Sequence, residues 1–458
     1  MRYISTRGQV GDRSFIDTLM SGLASDGGLF VPVFWPFLGE IKSDHRYQDI
    51  AHHVLSLFIG DEIPSDDLKK IIEDTYSEKV FSDPDITPLK PIGQDIFLME
   101  LFHGPTLAFK DVALQLLGRL FDYVLEKNGR TITIIGATSG DTGSAAIEAF
   151  KGRKNISITI LHPKGRTSDI QRRQMTSVMA NNVHNIAVEG TFDDCQNLVK
   201  QSFADEDLRQ NKNLSAVNSI NWARIIAQTV YYIDAARQLG KTPAFSVPTG
   251  NFGNIYAAWV GKQIGGDIGP LVIGSNRNDI LTRFFETGTM KLSDVAPSHS
   301  PSMDIQISSN FERFLYDCLG RDSDRLNKLM TSFKQTGQYS LDGDSLEGSR
   351  RNFIAQRCLD EDTIATIAKV YKESGIIIDP HTAVGVHALF KSGIPESHDG
   401  PAVALACAHP AKFPDVVEQA IGIRPALPAH LADLMDRPEK YTIMGNDFDK
   451  LKTHLLSV

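Results

Sequence analysis

The stretch Ile132-Thr133-Ile134-Ile135-Gly136-Ala137-Thr138-Ser139-Gly140-Asp141-Thr142-Gly143 decides the fold. A short β-branched run stops at a glycine, and a turn of small residues then opens a helical pattern, Ser144 to Phe150. A continuous apolar run of this length reads as a strand buried on both faces of a parallel sheet. Strand, turn and helix make the first part of a βαβ unit. The pattern recurs outward from this point. Ile156 to Leu161, Ile186 to Val188, Ala244 to Val247, Leu271 to Ile273, Ile376 to Ile378 and Ala402 to Ala406 are further strand candidates, with helical patterns between them such as Asn254 to Gln263. The expectation is an α/β protein with two open, mostly parallel sheet domains. A chain of 458 residues has room for two or three domains. The expected units are an N-terminal cap (1–93) with helices at Gln48 to Ile59 and Asp66 to Thr75, a first α/β domain (94–215), and a second (216–458) with a polar helical insertion around 318–374.

A net charge of -9 argues against a dedicated nucleic-acid binder, because a phosphate backbone demands a basic face. A small anion can still be held in a locally positive pocket. Cys195, Cys318, Cys358 and Cys407 lie far apart with no paired spacing, so a zinc cage or disulfide framework is not expected. No apolar stretch begins the chain, and the greasiest window, Gly28 to Gly39, is broken by Pro32 and Pro36. A cytoplasmic protein without membrane partners is expected.

In open parallel sheets ligands bind beyond the strand C-termini, so the loops there are where chemistry is sought. Gly136 to Gly143 exposes backbone N–H groups at a helix start and suits a carboxylate or phosphate. Asp141-Thr142-Gly143 matches the aspartic-protease triplet, but there is no second copy, and Gly136 to Gly140 lacks the central serine of a nucleophile elbow. The alternative is a bland turn. Pro248-Thr249-Gly250-Asn251-Phe252-Gly253-Asn254 follows another strand, and its glycines allow positive φ and close backbone approach to a phosphate. It is neither a dinucleotide fingerprint nor a Walker loop. Cys407, at the end of the last strand, is either buried filler or a weak polar group facing a ligand ring.

Lys110 lies in Glu100-Leu101-Phe102-His103-Gly104-Pro105-Thr106-Leu107-Ala108-Phe109-Lys110-Asp111, at a helix start. Most lysines there are solvated, but Leu107, Ala108, Phe109 and Val112 would draw this stem inward. Desolvation lowers a lysine's pKa and frees its amine to form a Schiff base. An apolar-set lysine, two anion loops and a small polar group at the last strand suit pyridoxal 5'-phosphate, with its aldehyde, phosphate and ring nitrogen.

With these motifs in place, the chain resembles the threonine synthase family, in its longer bacterial and fungal form, within the tryptophan-synthase-β-like (fold type II) pyridoxal phosphate enzymes. The resemblance spans nearly the whole chain. It is most specific at Phe102 to Asp111 and Pro301 to Leu315, and also covers Gly22 to Pro32, Thr138 to Gly143, Asn218 to Gln228, Pro248 to Asn254, Asp379 to Gly385 and Ala408 to Phe413. It implies that Lys110 bonds the cofactor, and that Gly250, Asn251, Phe252, Gly253 and Asn254 hold its phosphate. Cys407 stands where the family usually has a threonine on the ring nitrogen, and Asn254 where relatives often carry Asp. Asp141 is implied beside the cofactor's ring oxygen, with Ser139, Asp141 and Thr142 near the substrate carboxylate. His103, Thr106 and Arg224 are implied at the substrate's phosphate. The implied reaction turns O-phospho-L-homoserine and water into L-threonine and phosphate, in a monomer or homodimer. A related dehydratase, an amino-alcohol phosphate phospholyase and a non-catalytic cofactor binder are the alternatives.

Overall fold

The computed structural model describes residues 1–216, 218–341 and 343–458. Near the N-terminus, β1 (Tyr3–Ser5) and β2 (Phe30–Pro32) pair antiparallel, and the helices Tyr47–Ile59 and Ser65–Thr75 fall where the sequence puts them. The following strands are β3 (Leu89–Gly93), β4 (Ile96–Glu100), β5 (Ile132–Ala137), β6 (Ile156–Pro163), β7 (Val183–Glu189) and β8 (Leu214–Ser215). After them come β9 (Ala244–Pro248), β10 (Leu271–Ser275), β11 (Thr289–Lys291), β12 (Gln338–Ser340), β13 (Phe353–Arg357), β14 (Ala402–Ala406) and β15 (Thr442–Gly445). Two sheets dominate. One runs β15-β7-β6-β5-β8 and is parallel throughout; the other runs β13-β10-β9-β14-β4-β3 and is parallel except at the β3–β4 edge.

The pairing departs from the segment limits read in the sequence. β4, counted with the first α/β unit, lies between β14 and β3 of the second sheet, and β15, near the C-terminus, closes the first sheet against β7. Parallel pairing is non-local, so a run's composition says that it is a strand but not which sheet receives it. Two element assignments also change. Ile376 to Ile378 forms no strand; it leads into the helix Pro380–Lys391, with Ile378 buried against the second sheet's core. A short apolar run fits either role. Conversely, the insertion at 318–374 contains the edge strand β13 among its helices.

The helix Trp222–Leu239 is buried on every side from Trp222 to Ala236, as a helix inside the molecule must be. The cap grips its start. Trp222 packs on Tyr3 and Phe58, and the Asn221 amide donates to the Leu19 carbonyl at 2.8 Å. Arg313, without exposed surface, donates to the carbonyls of Phe30 and Ile220 and so joins the cap to the same corner. This corner carries Arg224.

Candidate active site

Beyond the C-terminal ends of β5, β9 and β14 lies a cleft of roughly 670 Å³. It is lined by Lys110, Thr142, Arg224, the loop 248–254 and Cys407, with Ser219, Gln228, Ser302, Met303 and His381 completing the wall. Lys110 is placed by its backbone. Leu107 takes a positive φ of 61°, unusual for a branched apolar residue. Its carbonyl accepts from the N–H of His409, and the Phe109 N–H donates to the Cys407 carbonyl at 2.8 Å. The lysine and the cysteine are thereby stitched together on one side of the cleft.

Lys110 is 11% exposed and its Nζ lies 3.3 Å from Asp141. Burial lowers its pKa, against the opposing pull of Asp141, so its amine is more readily freed than a surface lysine's. Asp141 is itself buried, which would raise its pKa, but Lys110 and Lys412 outweigh that and hold it well below the ordinary range. Its Oδ1 accepts from Lys412 at 2.8 Å and Gln171 at 2.8 Å, and its Oδ2 accepts from Ser302 at 3.1 Å. His381 is oriented by the same wall. Its Nδ1 lies 2.8 Å from Asp379 and its Nε2 lies 3.2 Å from the Ser302 N–H, which donates to it.

The 248–254 loop departs from expectation in one respect. Gly250 and Gly253 are not the positive-φ residues; Phe252 is, at 61°, with its ring clamped by Phe311, Phe314 and Phe353. The glycines answer a different need, close approach. A Cβ at Gly253 would sit 3.1 Å from the Asn310 amide, and one at Gly250 3.3 Å from the Ser302 carbonyl. Asn254, on the cleft wall, is the second residue of the helix Gly253–Gln263. Tyr231 and Tyr232 donate to its Oδ1, while its Nδ2 lies 4.0 Å from the Cys407 sulfur. Burial raises the Cys407 pKa strongly, so it stays a neutral thiol.

Several expected residues are not brought to the cleft wall. Thr106 is buried and its hydroxyl donates to Asp111. The His103 ring binds Glu100 at 2.9 Å, and Ser139 is exposed. In the Gly136 to Gly143 loop, the N–H groups of Gly140 and Gly143 donate to the Thr138 hydroxyl rather than facing outward. The Ser/Pro-rich loop 293–302 is drawn into the site. Ser298 and Ser300 bond Asn276, and Ser302 reaches Asp141. Lys412, Gln228 and His381 were missed as site residues although they lie inside or beside matched segments, because nothing local tells a buried lysine or histidine from an exposed one.

Three family models align with the chain. "Threonine synthase N terminus" matches residues 2–76, "Pyridoxal-phosphate dependent enzyme" matches 84–407, and "Threonine synthase, C-terminal" matches 382–455. The threonine synthase of Pseudomonas aeruginosa is 50% identical, over 99% of this chain and 97% of that protein. The chain belongs to the threonine synthase family. Among solved structures, a PLP-bound threonine synthase from Brucella melitensis superposes with a TM-score of 0.95 at 46% identity, covering 100% of this chain and 99% of that one. The yeast threonine synthase gives 0.94 at 40% identity, covering 99% and 98%. As a member of this family the chain is a fold type II pyridoxal-phosphate-dependent lyase.

The side chains fit that cofactor. Pyridoxal phosphate presents an aldehyde to an amine, a phosphate to hydrogen-bond donors and a ring nitrogen to a polar partner. Lys110, the 248–254 loop and Cys407 offer these around one cleft. The site also has a pH signature. A carboxylate whose folded-state pKa is depressed stabilises the fold above its unfolded pKa of about 3.9, and that stability is lost as pH falls through the folded value. Urea midpoints measured between pH 7 and pH 3 are expected to fall less steeply in Asp141→Asn than in the native chain; parallel slopes would contradict the ionised pairing.

Proposed function

We propose that the chain converts O-phospho-L-homoserine and water into L-threonine and inorganic phosphate. The observation that carries this reading is Arg224. It is 3% exposed and lines the cleft, its Nη1 donates to the Asn218 carbonyl at 2.8 Å, and its buried Nε has no protein acceptor. No carboxylate pairs with it among the described residues, and burial lowers its pKa to about 10. A desolvated guanidinium with donors to spare suits a phosphate oxygen. Ser219, beside it on the wall, adds a hydroxyl. The threonine synthases among the relatives support the same choice.

When bound, pyridoxal phosphate supplies an aldehyde for the substrate amine and a ring that spreads negative charge from Cα. Lys110, once freed, takes the Cα proton and later returns it, and moves a proton from Cβ to Cγ as the Cγ–O bond breaks to release phosphate; water then adds its hydroxyl at Cβ and its remaining proton leaves with the phosphate. Asp141 and Lys412 form a buried ion pair behind this amine, and Asp141 remains its counter-ion. Arg224 and Ser219 hold the departing phosphate. Cys407, a neutral thiol, would give the ring nitrogen no carboxylate to hold a proton on it, which would moderate the pull of charge at Cα and suits chemistry extending to Cβ and Cγ. With O-phospho-L-homoserine, phosphate release in equal amount to threonine is expected. Ammonia and a keto acid instead would assign the chain to the dehydratase or phospholyase chemistry, and no turnover would withdraw the proposal.

A further inference from the structure

We propose that Lys412 is a positioning residue for the chemistry at Lys110, setting that lysine's protonation through Asp141; this rests on the reading of Lys110 as the reacting amine. The Lys412 side chain has no exposed surface. It is not part of the cleft wall, so it acts through its neighbours. Its ammonium donates to Asp141 Oδ1 and to the Thr106 carbonyl, both at 2.8 Å. That carbonyl also accepts from Gln174 at 3.1 Å and belongs to the segment leading into Lys110, so the contact pins both the counter-ion and the approach to the reacting lysine.

The geometry assigns each Asp141 oxygen. Lys412 and Gln171 take Oδ1, which leaves Oδ2 to Lys110 and Ser302. A carboxylate held from both sides can neither rotate nor take up a proton readily. Lys412 itself is fixed by a short turn, Pro410–Lys412, capped where the Ala411 N–H donates to His409 Nδ1 at 3.1 Å. That turn follows β14 and Cys407, so one stretch of chain sets both the thiol and this ammonium.

The charged and titratable groups acting on Lys110 are Asp141 on the helix Asp141–Phe150, Lys412 on its turn and Arg224 on the helix Trp222–Leu239. The Cys407 thiol faces it as well, and His381 acts on Asp141 from the helix Pro380–Lys391. After burial, which lowers the Lys110 pKa, Asp141 raises it and Lys412 lowers it. Lys412 therefore offsets the counter-ion it orients. Two buried lysines share one carboxylate, and the reacting one is kept from being locked in its charged form.

The test uses the holoenzyme and reads the pH midpoint of the cofactor's visible absorbance beside the pH profile of kcat. Lys412→Met is expected to move both midpoints upward by roughly one pH unit or more, because a repelling charge is gone and Asp141 is left to Lys110 alone. Asp141→Asn is expected to move them downward. Lys412→Arg keeps the charge and should hold both near the native values. Where Lys412→Met does not fold, Lys412→Gln keeps a donor without the charge and carries the same prediction. Lower thermal stability with an unmoved midpoint, or shifts of the same sign in Lys412→Met and Asp141→Asn, would overturn the proposal. These outcomes are separate from a failure of the Lys110 assignment, which would show as turnover retained in Lys110→Ala.

Discussion

Lys110→Ala is expected to lower kcat by at least about 10³-fold and to remove the visible absorbance of the lysine-bound cofactor, since positioned proton transfer alone contributes about 10²–10⁴-fold. The amine is asked to bond the aldehyde and to move protons, and no other amine lines the cleft among the described residues. Lys412 cannot replace it: its ammonium is enclosed and committed to Asp141 and the Thr106 carbonyl. The variant should still fold. Removing one of two lysines leaves Asp141 with Lys412, Gln171 and Ser302, so the carboxylate is not stranded. Steady-state phosphate release, an absorbance spectrum and a thermal melt measured together check this. Turnover within tenfold of native would displace Lys110 from its role.

Arg224→Ala carries the second large effect, a fall in kcat/KM of roughly 10²–10³-fold, the scale seen when one partner of a desolvated charge pair is truncated. The loss should appear with the phosphorylated substrate while the cofactor absorbance persists, because the loop 248–254 and Cys407 are untouched. Arg224→Lys should recover only part, since an ammonium is a single point charge where the guanidinium offers a planar set of donors. Some of the effect will come through Asn218, whose carbonyl loses its donor in the alanine variant. Kinetics equal to native would remove Arg224 from the site, whereas loss of the absorbance would recast it as a residue holding the cofactor.

Much of this was legible from the residues. The short runs at Ile132, Ile156, Ala244 and Ala402 became parallel strands, and the turns after the first, third and last of them supply cleft residues. The local code succeeds there because a run buried on both faces is mostly apolar, and because glycine lets a backbone come close to a ligand or a neighbour. It fails where a side chain's partner lies far along the chain. Thr106 and His103 sit within four and seven residues of Lys110, yet Asp111 and Glu100 take their polar groups away from the cleft. Ser302 sits in a loop that looks like a surface connection, and Asp141, 161 residues away in sequence, draws it inward.

The sequence by itself determined the fold class and the chemical kinds present: an apolar-set lysine, two small-residue turns and a thiol at a strand end. These depend on period, length and local backbone freedom, all written within a few consecutive residues. Only the tertiary structure decided which sheet each strand joined, which glycine-loop residue bore the positive φ, and that Lys412 shares Asp141 with Lys110. A charge's role depends on its desolvation and on the sign of whatever lies within a few ångströms, and both are set by segments folding together from distant parts of the chain.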